Sequence, residues 1–307
     1  MKNQKLLGNR QAAWQVRFFP FLLAPIVAFW MLSSFSAGAQ NYVFTGASGV
    51  NLEWSNPNNW DANGYPGSVI SAGQSASIQA NCIMDINVIN NGNITIETGM
   101  SLTIHFSITL TNNAMLLNND SLHITNTGIL TNGIAGVFDN QEVVELNGTL
   151  NNLGTFDNHD VLNVNMEGDF FNTDGTFNNH AVLTNIGTVN NKSGGSFNNL
   201  SGATLHHNAG QFLTEDATSL TSNAGTFNCA AFFDVFDSGA FSNSATFSNT
   251  ASIDVNGQFT NAAGGTLTNS DSLHIGSAGS GCPQCSSFCT ESGTRRCCRK
   301  PGRCSRH

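Results

Sequence analysis

The sequence predicts an all-β chain whose body is a parallel β-solenoid of roughly ten coils, each of about twenty residues. The first observation is a recurring phrase, small-Thr-aromatic-x-Asn. It reads Gly154-Thr155-Phe156-Asp157-Asn158, Gly175-Thr176-Phe177-Asn178-Asn179 and Gly195-Ser196-Phe197-Asn198-Asn199. After a gap it resumes as Gly225-Thr226-Phe227-Asn228, Ala245-Thr246-Phe247-Ser248-Asn249 and Gly265-Thr266-Leu267-Thr268-Asn269. Aromatic-to-aromatic steps are 21 and 20 residues in the first group and 20 and 20 in the second. A fixed period of this size marks a stack in which each repeat buries its apolar face only against its neighbours. The second observation is alternation within the period, as in Ser252-Ile253-Asp254-Val255 and Gly257-Gln258-Phe259-Thr260-Asn261. Alternation broken by Asn, Gly and Ser means short strands and turns. The third is that no stretch after residue 40 holds a helical apolar period with caps.

A coil of this length has room for three strands of about four residues and three turns. Stacked in register, Phe156, Phe177 and Phe197 become one internal column, with Phe227 and Phe247 continuing the phrase beyond the gap; Leu150, Phe170 and Val189 become another column. The Asn two places after each aromatic position (Asn158, Asn179, Asn199, Asn249 and Asn269) is predicted to form a ladder at a turn, bonding the coils above and below. The region from about 68 to 147 has the same grammar with looser spacing, and Asp120-Ser121-Leu122-His123-Ile124 returns as Asp271-Ser272-Leu273-His274-Ile275. At about 4.8 Å per coil, the expected rod is on the order of 50 Å long.

Organisation follows from composition. Residues 1–39 carry Lys2, Lys5, Arg10 and Arg17, an apolar run from Phe18 to Leu32, and a small-residue end at Ala37-Gly38-Ala39. That pattern is expected to be a secretory signal cleaved after Ala39, with no membrane span thereafter; the alternative is an uncleaved anchor, against which Pro20, Pro25 and the small-residue end argue. Residues 40–67 are non-repeating and form the expected N-terminal cap, residues 68–280 the solenoid, and residues 281–307 a tail of different composition. Between Gln40 and Gly281 the only basic side chain is Lys192, against nineteen carboxylates. Such a body should repel nucleic acid and anionic membranes. No Asp-rich calcium loop is present.

The tail sets Cys282, Cys285, Cys289, Cys297, Cys298 and Cys304 among six basic residues. In an exported chain these cysteines suggest up to three disulfides, and their spacing matches no zinc pattern. An oxidised knob capping the stack, a basic tether to a polyanionic surface, and a shifted reading frame all fit this composition. Cys82 and Cys229 lie about seven coils apart, too far to pair with each other. Cys229 takes the ladder position that other coils give to Asn.

The segment Phe44-Thr45-Gly46, Trp54-Ser55-Asn56-Pro57-Asn58-Asn59-Trp60, Gly64-Tyr65-Pro66-Gly67 resembles the opening of secreted Bacteroidetes surface proteins. In those, a Trp-x-Asp/Asn-Pro-x-Asn-Trp motif leads into a right-handed parallel β-helix of adhesin-like or autotransporter-like stalks. The likeness covers residues 40 to about 280. It implies a bacterial cell-surface or secreted location, and a surface glycan or another surface protein as partner. Many members also end in a sorting domain, for which this chain has no room. Asp120-Ser121-Leu122 and Asp271-Ser272-Leu273 resemble the O-glycan acceptor of the same proteins. Trp54 and Trp60 are expected to plug the first coil, the competing reading being a sugar-stacking platform.

Catalysis has few materials here. A lyase of this architecture needs cations beyond Lys192. A hydrolase needs converging carboxylates, for which Asp157, Asp160, Glu167, Asp169 and Asp174 are the candidates. Asp157 and Asp160 read as turn residues. His159 and His180 stack in successive coils and could share a metal with Asp160, but Leu200 ends that series. His206-His207 reads as a surface pair. The expectation is an exported structural or adhesive stalk with no catalytic, cofactor or metal residue. The alternative is a carbohydrate-binding or polysaccharide-hydrolysing β-helix with an acidic groove.

Overall fold

The computed structural model describes residues 39–236 and 238–275, together with the backbone of a two-residue strand, Cys298–Arg299. The expected signal segment lies outside the described residues. So do Cys282, Cys285, Cys289, Cys297 and Cys304, and of Cys298 only the backbone is described.

Three parallel sheets run the length of the stack. The first holds 11 strands, from Asn41–Phe44 to Gln258–Asn261, and the second 10, from Cys82–Met84 to Thr266–Asn269. The third begins at Val69–Ile70 and continues through Leu273–Ile275. Successive strands along the chain go to successive sheets, so every coil visits all three faces. Most strands are four residues long with the second and fourth buried, as in Thr155–Asn158 and Thr176–Asn179. This is the period-two alternation of a strand with one face in the core. Almost no helix is present: the described residues hold one three-residue 3-10 turn, Pro57–Asn59.

Registers are strict. Phe156 faces Phe177, which faces Phe197, and Leu150 faces Phe170, which faces Val189. The first coils fill the interior with Ile78, Ile94, Ile96, Leu102, Ile104 and Leu110. From Phe138 onward aromatic rings join the aliphatic filling. Phe138 and Phe156 stack at 4.3 Å, Phe177 and Phe197 lie 4.6 Å apart, and Phe170 meets Phe177 edge-on at 5.0 Å. Such pairs add about 0.5–1.5 kcal/mol each beyond area burial.

Asparagine ladders run inside the stack, and there are more of them than the single turn ladder expected from the sequence. On the first sheet Asn118, Asn140, Asn158, Asn179, Asn199, Asn223, Asn243 and Asn261 are bonded in series. Each side-chain amide donates to the oxygen of the next, as from Asn158 to Asn179 at 2.8 Å and from Asn199 to Asn223 at 2.7 Å. Asn249 and Asn269 belong to a different ladder, on the second sheet, joined at 2.6 Å. A third runs down the third sheet through Asn90, Asn112, Asn132, Asn152, Asn172 and Asn191. These side chains sit at strand ends pointing inward. Asn158 and Asn179 are fully buried, and Asn199 is nearly so. Each interior amide also donates to main-chain carbonyls, as Asn158 does to Val182 at 3.0 Å and to Asp160 at 3.1 Å. Burial of an amide is tolerated because every donor has an acceptor.

The turns stack as closely as the strands. Gly210 has φ +71°, and a Cβ there would lie 1.9 Å from the carbonyl oxygen of Gly187. Only glycine fits a left-handed turn pressed onto the turn behind it.

Candidate functional site

Two places concentrate chemistry: the Trp-bearing N-terminal segment and the coil where the amide ladders change sheets.

Asn56 caps the short 3-10 turn by accepting from the Asn58 amide at 3.1 Å, and Pro57 presets its first residue. This turn brings Trp54 and Trp60 together, ring centroids 4.7 Å apart and edge-on. Trp60 packs edge-on against Phe44 at 5.3 Å. The Trp54 indole donates to the Gly67 carbonyl at 2.9 Å, and the Trp60 indole to the Trp54 carbonyl at 2.8 Å. Trp54 is fully buried and Trp60 is 5% exposed, so neither offers a ring face for a sugar. The same segment occupies strand edges. Trp60 bridges Phe44 in antiparallel fashion, Glu53 bridges Ile83 in parallel, and the Trp54 amide donates to the Ile83 carbonyl at 2.7 Å. Asp85 ties it down, accepting from the Ser55 amide at 2.9 Å and from its hydroxyl at 2.5 Å. The backbone polar groups at the start of the first and second sheets are thereby covered.

The carboxylates do not converge. Asp157 points outward from the strand Thr155–Asn158, a correction to its reading as a turn residue, and accepts from Asn178 at 2.8 Å. Asp160 lies in the turn after it. Glu167 lies in the turn between the second and third sheets, hydrogen-bonded to Asn126. Asp169 starts a third-sheet strand, and Asp174 lies in the following turn with φ 56°. They are therefore spread around the coil.

His159 and His180 stack with ring centroids 4.3 Å apart. Their carboxylate neighbours are Asp139, at 3.6 Å, and Asp157, at 3.8 Å, in place of the Asp160 named from the sequence. No group of three or more metal-ligating side chains is found among the described residues.

His207 departs most from expectation. It is fully buried, while His206 points outward. In register it stands between Asn185 and Cys229, at a ladder position of the second sheet. Its Nδ1 lies 3.1 Å from the Asn185 amide nitrogen and its Nε2 2.7 Å from the Phe232 carbonyl oxygen. The amide can only donate and the carbonyl only accept. The ring is thus neutral, protonated on Nε2. Burial holds its pKa below the ordinary 6.5, against the opposing pull of the Phe232 carbonyl. The sequence signal was present: His207 follows Thr204-Leu205-His206 at the phase where other strands end in Asn.

Cys82 and Cys229 are free and buried. Burial first, then the nearby Asp85 carboxylate, push the Cys82 thiol well above its ordinary range. Burial pushes Cys229 up to about 12, partly opposed by its hydrogen bond to the Ala231 carbonyl. Both stay thiols at neutral pH, and the thiolate is the reactive form. Neither is expected to take up a maleimide in the folded protein, and both should react after denaturation. Rapid labelling of either under native conditions would show that its coil opens.

The fold and these sites define a parallel β-solenoid with a buried amide interior. Comparison with protein-family models, with curated proteins and with solved structures gives no match.

Proposed function

We propose that the chain is an exported structural β-solenoid, a stiff spacer or adhesive stalk at the bacterial surface, with no chemistry of its own. The observation that carries this reading is the division of labour between inside and outside. The polar groups in the interior are engaged in holding coil to coil, and the candidate carboxylates are distributed over separate faces and turns. An acid-catalysed glycosidase sets two carboxyl groups about 5–10 Å apart across one cleft; the in-register carboxylates Asp139 and Asp157 instead each lie against a histidine, His159 and His180, which supports a structural role for them. The basic, apolar, small-residue start of the sequence supports export, and the Trp motif supports kinship with surface stalks. A surface glycan or another surface protein is the proposed partner. Its contacts would be made by the outward columns, such as Thr155, Thr176 and Ser196 beside Asp157, Asn178 and Asn198.

Fractionation of producing cells, with N-terminal sequencing of the recovered protein, tests this directly. The expected product is outside the inner membrane and begins at Gln40. Recovery from the cytosol with Met1 in place would overturn the export reading. Release of sugar ends from a panel of neutral and uronic polysaccharides would overturn the absence of catalysis.

A further inference from the structure

The ladders do not continue unchanged from end to end. On the third sheet the asparagine series stops at Asn191, and the next rungs are Thr214, Val235 and Val255. On the second sheet the equivalent inward position is Met84, Ile104, Ile124, Leu146 and Val164 in the early coils, and then Asn185, His207, Cys229, Asn249 and Asn269. The interior amides thus pass from the third sheet to the second within the coils around residues 182–235. The handover is imperfect. Asn191 donates to the Leu220 carbonyl at 3.0 Å and lies 3.4 Å from the Thr221 hydroxyl, having no amide ahead of it. Thr221 replaces an aromatic between Phe197 and Phe241, and its hydroxyl meets that of Thr214 at 2.8 Å. The Asn190 side-chain oxygen is buried with no hydrogen-bond partner. One coil step here takes 24 residues, from Asn199 to Asn223, whereas the next takes 20.

We infer that this handover is an acid-sensitive junction dividing the stack into two cooperative units, with His207 as the group whose protonation opens it. The inference goes beyond the proposed role as a stalk and does not depend on it. In a solenoid each coil is held only by its two neighbours, so a weak boundary separates the blocks on either side. His207 completes the second-sheet ladder only as a neutral ring. A proton on Nδ1 would face the Asn185 amide donor and place a charge in the core. No compensating partner is at hand. The inward groups around the ring are Asn185, the Cys229 thiol, Phe212 with its ring 6.0 Å away, and the Phe232 carbonyl. Cys229 stays neutral across this pH range. His206 points outward from the strand Thr204–His207; Asp234 is buried but alternates with Phe233 and Val235 along its strand, and no carboxylate is among the groups that shift His207. The described histidine–carboxylate pairs involve His159, His180 and His274, not His207.

The sign follows from linkage. A histidine whose pKa is lower in the folded state leaves stability intact above the unfolded value of 6.5. Stability falls as pH drops below that value. From 6.5 down to about pH 5 the open form gains up to about thirty-fold over the closed one.

Hydrogen exchange on the full chain at about pH 7.5 and about pH 5, corrected for intrinsic rates, tests this. The strands Val182–Asn185, Thr204–His207, Thr226–Cys229 and Phe232–Val235 should lose protection at the lower pH, by up to about thirty-fold. The coils from Asn93–Ile96 to Val161–Val164 should not. His207→Asn, which extends the amide ladder, should remove the acid effect. Equal protection at both pH values, a loss spread evenly along the chain, or acid sensitivity retained by the variant would each overturn the inference. Should the variant not fold, an NMR titration of His207 in the parent decides: a folded-state midpoint at or above 6.5 rejects the junction.

Discussion

Replacing Asn158 by Asp is expected to destabilise the middle of the stack by about 3–5 kcal/mol at neutral pH, the cost of a buried charge without a partner. The Asn158 amide nitrogen faces three oxygens: Asn179 Oδ1 at 2.8 Å, Val182 O at 3.0 Å and Asp160 O at 3.1 Å. Asp would turn those three hydrogen bonds into oxygen–oxygen repulsions at a fully buried position. Only the bond received from Asn140, at 2.7 Å, would survive. The same reasoning gives a pH signature. The folded state should disfavour the ionised carboxyl, raising its pKa above the usual value of about 3.9. The deficit should therefore shrink as pH falls through that raised pKa, because a protonated carboxyl recovers one donor. Denaturant melts of the parent and the variant at neutral and mildly acidic pH, read together with local exchange, make the comparison. A loss below about 1 kcal/mol at neutral pH would mean that the ladder is decoration.

Trp54→Ala should cost about 3–5 kcal/mol at the N-terminal end, as for other large aromatic truncations in a core. It should also change the association state. Trp54 is fully buried against Trp60, and its own main chain bonds the Ile83 edge and receives the Trp60 indole. Removing the ring loosens the segment from Glu53 to Gly67 and uncovers the edges of Asn41–Phe44 and Cys82–Met84. Uncovered parallel edges recruit other strands. Light scattering should show concentration-dependent oligomers in the variant and none in the parent. Cys82 should become reactive to maleimide, since it lies on the edge exposed. A variant that stays monomeric with Cys82 protected would show that the segment is not what covers the end.

The strand period was legible because one interior column of the middle coils is made from one residue type. Phe156, Phe177 and Phe197 repeat at nearly one spacing and share one column. The early coils are harder to read because Ile94, Leu102 and Leu110 do similar work with residues common in any core. The phrase itself misled in one respect. Phe197 lies on the first sheet and Phe227 on the second, so identical words name different faces before and after the gap. A one-dimensional period cannot distinguish faces; register can. For the same reason Asn199 and Asn249, equivalent in the phrase, stand in separate ladders. His207 was misread because a doublet of histidines suggests a wet surface. In a strand, adjacent residues point to opposite sides, and only one of the two can be outside. The carboxylate scatter was partly visible in the sequence, since Asp157 aligns with Asn178 in the next coil.

The ladder handover also bears on how the rod would fail under tension. Force applied along the stack axis crosses every coil boundary in series, and each boundary shares it among three ladders of main-chain bonds and the amide rungs within. Within the coils held by amide ladders, breakage is expected where those ladders are interrupted. That boundary lies near Thr214 and Thr221, where hydroxyls replace the amide and the aromatic ring of neighbouring coils. A rod built this way would yield at one chosen place and leave shorter intact segments on either side, as a mechanical fuse does.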